Sequence, residues 1–206
     1  AVEATYRGPA KVSGGAGTGK TVVALHRAAV LARKGQGRTL LTTFTRTLAH
    51  RLEQSLELLV GDEGADRDRI EVANLHQLAK RLLEEGRELR FRPLDDKTLR
   101  PLLSKRIQEL GAAIDDQAAL REWRDVVDVH GVKSLDDYLS VRRVGMGAAL
   151  QPSQRDDMWE VLGPVLEDTI RRGLLSFDRL CHEAAEMLES EGHHPFRHVV
   201  ADEVQD

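Results

Sequence analysis

The stretch Gly14-Gly15-Ala16-Gly17-Thr18-Gly19-Lys20-Thr21 constrains this chain more than any other. It satisfies G-x-x-x-x-G-K-T through Gly14, Gly19, Lys20 and Thr21. Glycines at these positions let backbone N–H groups wrap a phosphate, with help from the dipole of the following helix. In such a loop Lys20 reaches the β- and γ-phosphates of a nucleotide, and the Thr21 hydroxyl ligates Mg²⁺. The motif needs a strand before it and a helix after it. Ala10–Ser13 is a short apolar-leaning run that reads as the strand. Thr21–Lys34 carries Val22, Val23, Leu25, Ala29, Val30 and Leu31 at helical spacing, and Arg33-Lys34-Gly35 closes it with basic residues and then glycine.

The same alternation continues. Thr39–Phe44 is β-branched and apolar and reads as a buried strand, Thr47–Val60 as a helix, Ile70–Ala73 as a strand and Leu75–Glu85 as a helix. Strand and helix in turn predict a parallel α/β sheet. From Phe91 onward helical periodicity dominates for about eighty residues, punctuated by Pro93, Pro101, Pro152 and Pro164 and by a loop at Gly145-Met146-Gly147. Helices run on through Phe177–Ser190, and Phe196–Ala201 forms a last strand. This divides the chain into a first core segment (1–90), a helical insertion (91–173) and a return to the core (174–206).

Charge is informative once it is divided. The net charge is -4, yet no Asp or Glu occurs from Ala4 to Leu52, where Arg7, Lys11, Lys20, Arg27, Arg33, Lys34, Arg38, Arg46 and Arg51 give +9. The rest of the chain holds 21 basic against 34 acidic residues. Such asymmetry points to a polyanion site near one end. Hydrophobic residues at 41% and charged residues at 31% exclude a disordered or collagen-like chain. A single cysteine, Cys181, excludes an internal disulfide and a four-cysteine zinc site. No run approaches the roughly 18 apolar residues of a membrane helix. Together these suggest a reducing, cytoplasmic setting and no membrane partner.

A second motif closes the sequence. Val199-Val200-Ala201-Asp202-Glu203-Val204-Gln205-Asp206 is an apolar strand that ends in acids. Beside a phosphate loop, Asp202 would contact Mg²⁺, usually through water, and Glu203 would act as general base on the attacking water. Other candidates carry less. Adjacent His193 and His194 point apart and read as a turn, Cys181 as a small core residue, and Trp123 and Trp159 as core anchors of the insertion. Asp115-Asp116, Asp136-Asp137 and Asp156-Asp157 read as helix-start and loop charges. Phe44, judged by position alone, reads as core packing.

Taken together, these residues resemble the N-terminal half of a superfamily 1 helicase of the UvrD/Rep type. Thr43-Phe44-Thr45-Arg46-Thr47-Leu48-Ala49 is similar to the family's T-F-T-N-K-A-A motif, and Ala73-Asn74-Leu75-His76 resembles its G-T-F-H motif. Leu174-Leu175-Ser176-Phe177-Asp178-Arg179-Leu180 resembles D-F-D-D-L, and Asp202-Glu203-Val204-Gln205-Asp206 matches D-E-x-Q-D. The departures are Arg46 and Thr47 for Asn and Lys, Asn74 for Thr, and Ser176 and Arg179 for Asp. The resemblance covers about the first 90 and last 35 residues; the middle shares only its helical character.

The resemblance implies a RecA-like P-loop domain with a parallel sheet and an inserted all-helical subdomain. It implies ATP and Mg²⁺ as cofactors, bound by residues 14–21 and Asp202, with catalysis by Lys20, Glu203 and Gln205, the last linking nucleotide to DNA-binding parts. Single-stranded DNA, or a single/double-strand junction, would meet Phe44, Thr45, Arg46, Asn74 and His76. Phe44 would stack on a base, worth about 1–3 kcal/mol whatever the sequence. The intact protein would be an ATP-dependent translocase and helicase of 3′ to 5′ polarity, with a second, C-terminal RecA-like domain as partner. The family's adenine-reading motif would fall before Ala1, and its arginine fingers beyond Asp206. These 206 residues alone are therefore expected to bind nucleotide weakly and to hydrolyse it poorly. The alternatives are a helicase-like ATPase that remodels a protein or RNA complex, and a regulatory ATP-binding module.

Overall fold

A computed structural model of the chain describes residues 2–4, 6, 8–61, 64–87, 90–143, 151–192 and 194–203. Gln205, the Gly145-Met146-Gly147 loop, His193 and Arg7 lie outside the described residues. The chain forms two compact units, one of residues 1–78 with 188–206 and the other of residues 79–187.

The first unit is built on a three-stranded parallel sheet. Strand β1 (Thr39–Thr43) lies between β2 (Ile70–Asn74) and β5 (His198–Ala201). Thr39 pairs with Ile70 and Thr43 with Asn74 on one side, and Thr39 with His198 and Thr42 with Ala201 on the other. All five β1 residues are buried, as a central strand of β-branched and apolar residues requires. Helix α1 (Lys20–Arg33) is alanine-rich, and α2 (Arg46–Val60) carries a leucine stripe. Ala24, Leu25, Ala28 and Ala32 of α1 meet Leu41, Leu52, Leu56 and Ile70 in one core. Each fully buried leucine there contributes roughly 1.5–3 kcal/mol. A short helix α3 (Ala65–Asp68) precedes β2, and α4 (Leu75–Arg87) follows it.

Two sequence expectations are corrected. Ala10–Ser13 forms no strand. The run is exposed, with Val12 at 47%, and it lines a cavity of about 830 Å³ together with β5. The phosphate-loop motif therefore lacks its expected preceding strand among the described residues. Strands also do not vanish after residue 91, because β3 (Arg92–Pro93) pairs in parallel with β4 (Leu174–Leu175).

The second unit is otherwise helical: α4 from Ala79 onward, α5 (Asp96–Leu110), α6 (Asp116–Glu122), a π-helical turn (Trp123–Asp128), α7 (Leu135–Ser140), α8 (Pro152–Arg171) and most of α9 (Phe177–Glu191). Leu103, Trp123, Val126, Tyr138, Val161 and Leu162 share its core. Asp95 and Asp115 accept the N–H groups of Thr98 and Ala118, and Ser134 with Asp137 forms a capping box. Pro101 and Pro164, expected as punctuation, lie inside α5 and α8 instead. Among the described residues no helix is long and apolar enough to cross a membrane.

Candidate functional site

The glycine loop is shaped by its own contacts. Gly17 and Gly19 have φ of +74° and +82°, which glycine adopts without strain. The Thr18 hydroxyl donates to the Gly15 carbonyl at 2.8 Å, closing the turn. A Cβ on Gly14 would lie 2.6 Å from that hydroxyl oxygen, so the turn needs glycine there. Gly15, Ala16, Gly17 and Thr18 are exposed at its tip. Gly19 caps α1 with no side-chain acceptor, which leaves the first N–H groups of that helix directed at the loop.

Lys20 folds back over the turn. Its Nζ donates to the carbonyls of Gly14 and Gly15 at 3.0 and 2.9 Å. The ammonium is thus held at the mouth of the loop. One residue on, the Thr21 hydroxyl donates to Asp202 Oδ2 at 2.8 Å. That single bond joins the phosphate-loop motif to the acidic strand end across 181 residues of sequence. The Asp202 carboxylate sits where β5 stops. Its own N–H donates to the Thr42 carbonyl at 2.8 Å, which continues the parallel ladder by one step. Asp202 is 8% exposed. Glu203 follows in the left-handed region, φ 59°, an uncommon conformation for a non-glycine residue.

Lys20, Asp202 and Glu203 line the same cavity of about 830 Å³, together with Tyr6, Lys11 and Arg27. Arg27 lies 5.3 Å from the Tyr6 ring centroid, and its guanidinium donates to the carbonyls of Val2 and Ala4. His198 lies on the same wall. Burial, then the charges of Arg197, Arg27 and Lys34, hold its imidazole below the usual histidine range. Sequence reasoning counted Arg27 and Lys11 as basic charge but missed them and Tyr6 as cavity residues. The acid-free run from Ala4 to Leu52 was the available signal.

The residues expected to meet a nucleic acid divide into two groups. Phe44 follows β1 directly and is 64% exposed, which removes the core-packing reading of this side chain. His76, at the start of α4, meets it edge-on with ring centroids 6.1 Å apart. The β1–β2 ladder brings them together, since its last pair is Thr43 with Asn74. Arg46 is exposed beside Phe44. Thr45 and Asn74 are committed locally. Thr45 Oγ1 accepts the Leu48 N–H at 3.2 Å as the cap of α2. Asn74 Oδ1 accepts the Gln77 N–H at 2.9 Å, and the residue is 4% exposed. Each of these side-chain oxygens thus has a local backbone donor. Gln205 lies outside the described residues.

Thr21, Asp202, Phe44 and His76 all sit at the C-terminal edge of one parallel sheet, where open α/β sheets bind ligands. The donor set fits an Mg²⁺–nucleotide: a hydroxyl and a buried carboxylate in contact, an ammonium at the loop mouth, and an uncapped helix start. The family model of the UvrD/REP helicase N-terminal domain matches residues 1–206. No curated protein matches the chain.

Proposed function

The chain belongs to the UvrD/REP helicase N-terminal domain family, and from that premise we propose that it is the ATP- and Mg²⁺-binding part of a DNA helicase that translocates along single strands from 3′ to 5′. In this reading residues 1–78 with 188–206 are the RecA-like core, and residues 79–187 are the helical insertion. The observation that carries it is the 2.8 Å bond between Thr21 and Asp202, which joins the two motifs a phosphoryl-transfer site needs.

Each residue then has a task. The N–H groups of the Gly14–Gly19 turn and of the first turn of α1 hold phosphate oxygens, and Lys20 swings from the Gly14 and Gly15 carbonyls to the β- and γ-phosphates. Thr21 and Asp202 hold the Mg²⁺, which when bound neutralises developing charge on the phosphates. Glu203 takes a proton on a carboxylate oxygen from the attacking water. Phe44 stacks on a base, and the exposed Arg46 meets the adjoining phosphate. Full turnover needs arginine donors on a second RecA-like domain, whose contribution is about 10³–10⁵ in rate in this kind of chemistry.

The test is equilibrium binding of a fluorescent ATP analogue, with and without Mg²⁺. The unaltered chain should bind it in an Mg²⁺-dependent way. Lys20→Met should weaken binding at least tenfold, and Asp202→Asn should abolish the Mg²⁺ dependence. Binding indifferent to all three changes would refute the assignment of the site.

A further inference from the structure

The parallel sheet of the first unit ends in a row of polar side chains. Val200, Leu41 and Val72 lie side by side on β5, β1 and β2 and pack into the core shared with α1. Two residues further along a strand, side chains return to the same face. The next row on that face is therefore Asp202, Thr43 and Asn74. Thr43 pairs with Asn74, and the Asp202 N–H on the Thr42 carbonyl sets Asp202 beside Thr43. Thr21, on α1, reaches Asp202 from this same face.

The two ends of the row have partners. Asp202 Oδ2 accepts from the Thr21 hydroxyl at 2.8 Å, and Asn74 Oδ1 accepts the Gln77 N–H at 2.9 Å. Thr43 between them is 3% exposed, and its hydroxyl has no hydrogen-bond partner among the described residues. A buried hydroxyl without a partner costs stability, and valine would fill the same space without that cost. The hydroxyls of Thr39 and Thr42 also lack partners. Thr42, however, lies on the opposite face, and Thr39 at the start of β1. Of the three, Thr43 alone stands beside the carboxylate. Neighbouring strands are about 4.8 Å apart, a span that a threonine hydroxyl and an aspartate oxygen close with one hydrogen bond.

We propose that Thr43 is a positioning residue for Mg²⁺: with the nucleotide bound, its hydroxyl donates to the Asp202 carboxylate and fixes the orientation in which that group meets the ion. This rests on the assignment of Thr21 and Asp202 to Mg²⁺ and adds a third side chain to them. A carboxylate has acceptor sites on both oxygens, so the bond from Thr21 leaves room for a second donor. One hydrogen bond lets the carboxylate pivot about it, and a second removes that freedom.

Mg²⁺ titrated into the chain with a fluorescent ATP analogue tests it, together with urea unfolding of the nucleotide-free chain followed by circular dichroism. Thr43→Val keeps the shape and removes the hydroxyl. It should need about tenfold more Mg²⁺ for half-saturation, as loss of one hydrogen bond to a charged group produces. Analogue binding without Mg²⁺ should be unchanged, and the nucleotide-free urea midpoint should equal or exceed that of the unaltered chain. Thr43→Ser, which keeps the hydroxyl, should need no more Mg²⁺ than the unaltered chain. A merely structural threonine would shift the midpoint and leave the Mg²⁺ requirement alone. A lower midpoint for Thr43→Val, or an unchanged Mg²⁺ requirement while Asp202→Asn abolishes the dependence, overturns the positioning role and leaves the Mg²⁺ site standing. If the unaltered chain binds the analogue without regard to Mg²⁺, both fall together.

Discussion

Replacing Arg179 by methionine tests the least conventional feature of the second unit. Arg179 stands where the resembled motif has an acid, and its side chain is 2% exposed. One terminal nitrogen donates to the carbonyls of Val127 and Val132 at 2.8 and 2.7 Å. The Nε atom lies 3.9 Å from Asp128 Oδ1, and the other terminal nitrogen 4.0 Å from Glu183 Oε1. These last two are charge contacts, too long to be hydrogen bonds. Asp128 also accepts the Trp123 Nε1–H at 3.0 Å. Arg179 therefore ties α9 to the π-helical turn and to the chain just after it.

Methionine fills much of the volume but supplies no charge and no donor. Glu183 would keep Lys133 and Arg87, each at 2.8 Å. Asp128 would lose the Arg179 charge, its one opposite charge among the described residues, and two carbonyls would lose a donor. Removing one member of a buried ion pair costs about 3–5 kcal/mol, because the partner stays buried and unpaired. That is a large part of the 5–15 kcal/mol typical of a domain. Both tryptophans, Trp123 and Trp159, belong to this unit, so tryptophan fluorescence during urea unfolding reports it selectively. Arg179→Met should lower the midpoint by more than about 1 M urea, given slopes of about 1–3 kcal/mol/M. Adding Asp128→Asn should restore part of the loss, since the unpaired charge is then gone. A single variant that loses less than about 1 kcal/mol, or a double variant less stable than the single, would refute the reasoning.

Three further outcomes follow from the same structure. Burial pushes the Asp128 carboxyl up to about 6 against the opposing effects of Ser176, Arg179 and Trp123. The folded chain then binds a proton there that the unfolded chain has already released, so this group's stabilisation is full below about pH 4 and fades as pH rises through about 6; it should be about 2 kcal/mol greater at pH 4.5 than at 6.5. Comparing urea unfolding of the unaltered chain and Asp128→Asn at those two pH values checks this, and equal pH dependence in both would sink it. Phe44→Ala should cost little stability, because the ring is 64% exposed, but about 1–3 kcal/mol of single-strand affinity; unchanged affinity in an oligonucleotide titration would return Phe44 to a structural role. Gly14→Ala puts a Cβ 2.6 Å from Thr18 Oγ1, so it should break the Thr18–Gly15 bond and weaken nucleotide binding while the exposed loop leaves stability within about 1 kcal/mol. Thr18→Ala in the same chain should recover some affinity, and a double variant no better than the single would show that the clash is not the cause.

The first unit was legible in sequence wherever periodicity and packing agree. Thr39–Phe44 reads as a buried strand because β-branched and apolar residues follow one another, and the structure buries Thr39–Thr43 but leaves Phe44 exposed. Thr21–Lys34 reads as a helix because its apolar residues recur at helical spacing and glycine closes it, and the structure forms it over Lys20–Arg33. Ala10–Ser13 was misread because an apolar-leaning run says nothing about whether a neighbouring strand is present to pair with it. Arg92–Pro93 and Leu174–Leu175 escaped notice because two residues carry no period. Among the site residues, Phe44 could not be placed by sequence alone. An aromatic after a strand is equally compatible with a core position, and only its exposure in the fold separates the two. Tyr6 had no signal of its own, since its place on the cavity wall depends on the path of the chain before the glycine loop.

What sequence could not supply was the relation between the two strongest motifs. Each was recognisable from local spacing, but nothing local brings Thr21 to Asp202. Register does. Pairing Thr42 with Ala201 puts Asp202 one step beyond the end of β5, and its N–H onto the Thr42 carbonyl fixes the direction in which the carboxylate leaves the sheet. A slip of one residue would send the carboxylate to the opposite face, because side chains alternate along a strand. β5 alternates half-buried His198 and Val200 with exposed Val199 and Ala201, and that alternation is what penalises such a slip. The geometry of the Thr21–Asp202 contact thus depends on strand pairing by residues that contribute no side chain to it. Polar substitution at Leu41, which is fully buried in the sheet, should accordingly impair Mg²⁺-dependent nucleotide binding along with stability, whereas Leu41→Val, which keeps the pattern, should preserve the binding even where it lowers the unfolding free energy. Loss of nucleotide binding in a folded Leu41→Val variant would show that the site depends on something other than the ladder.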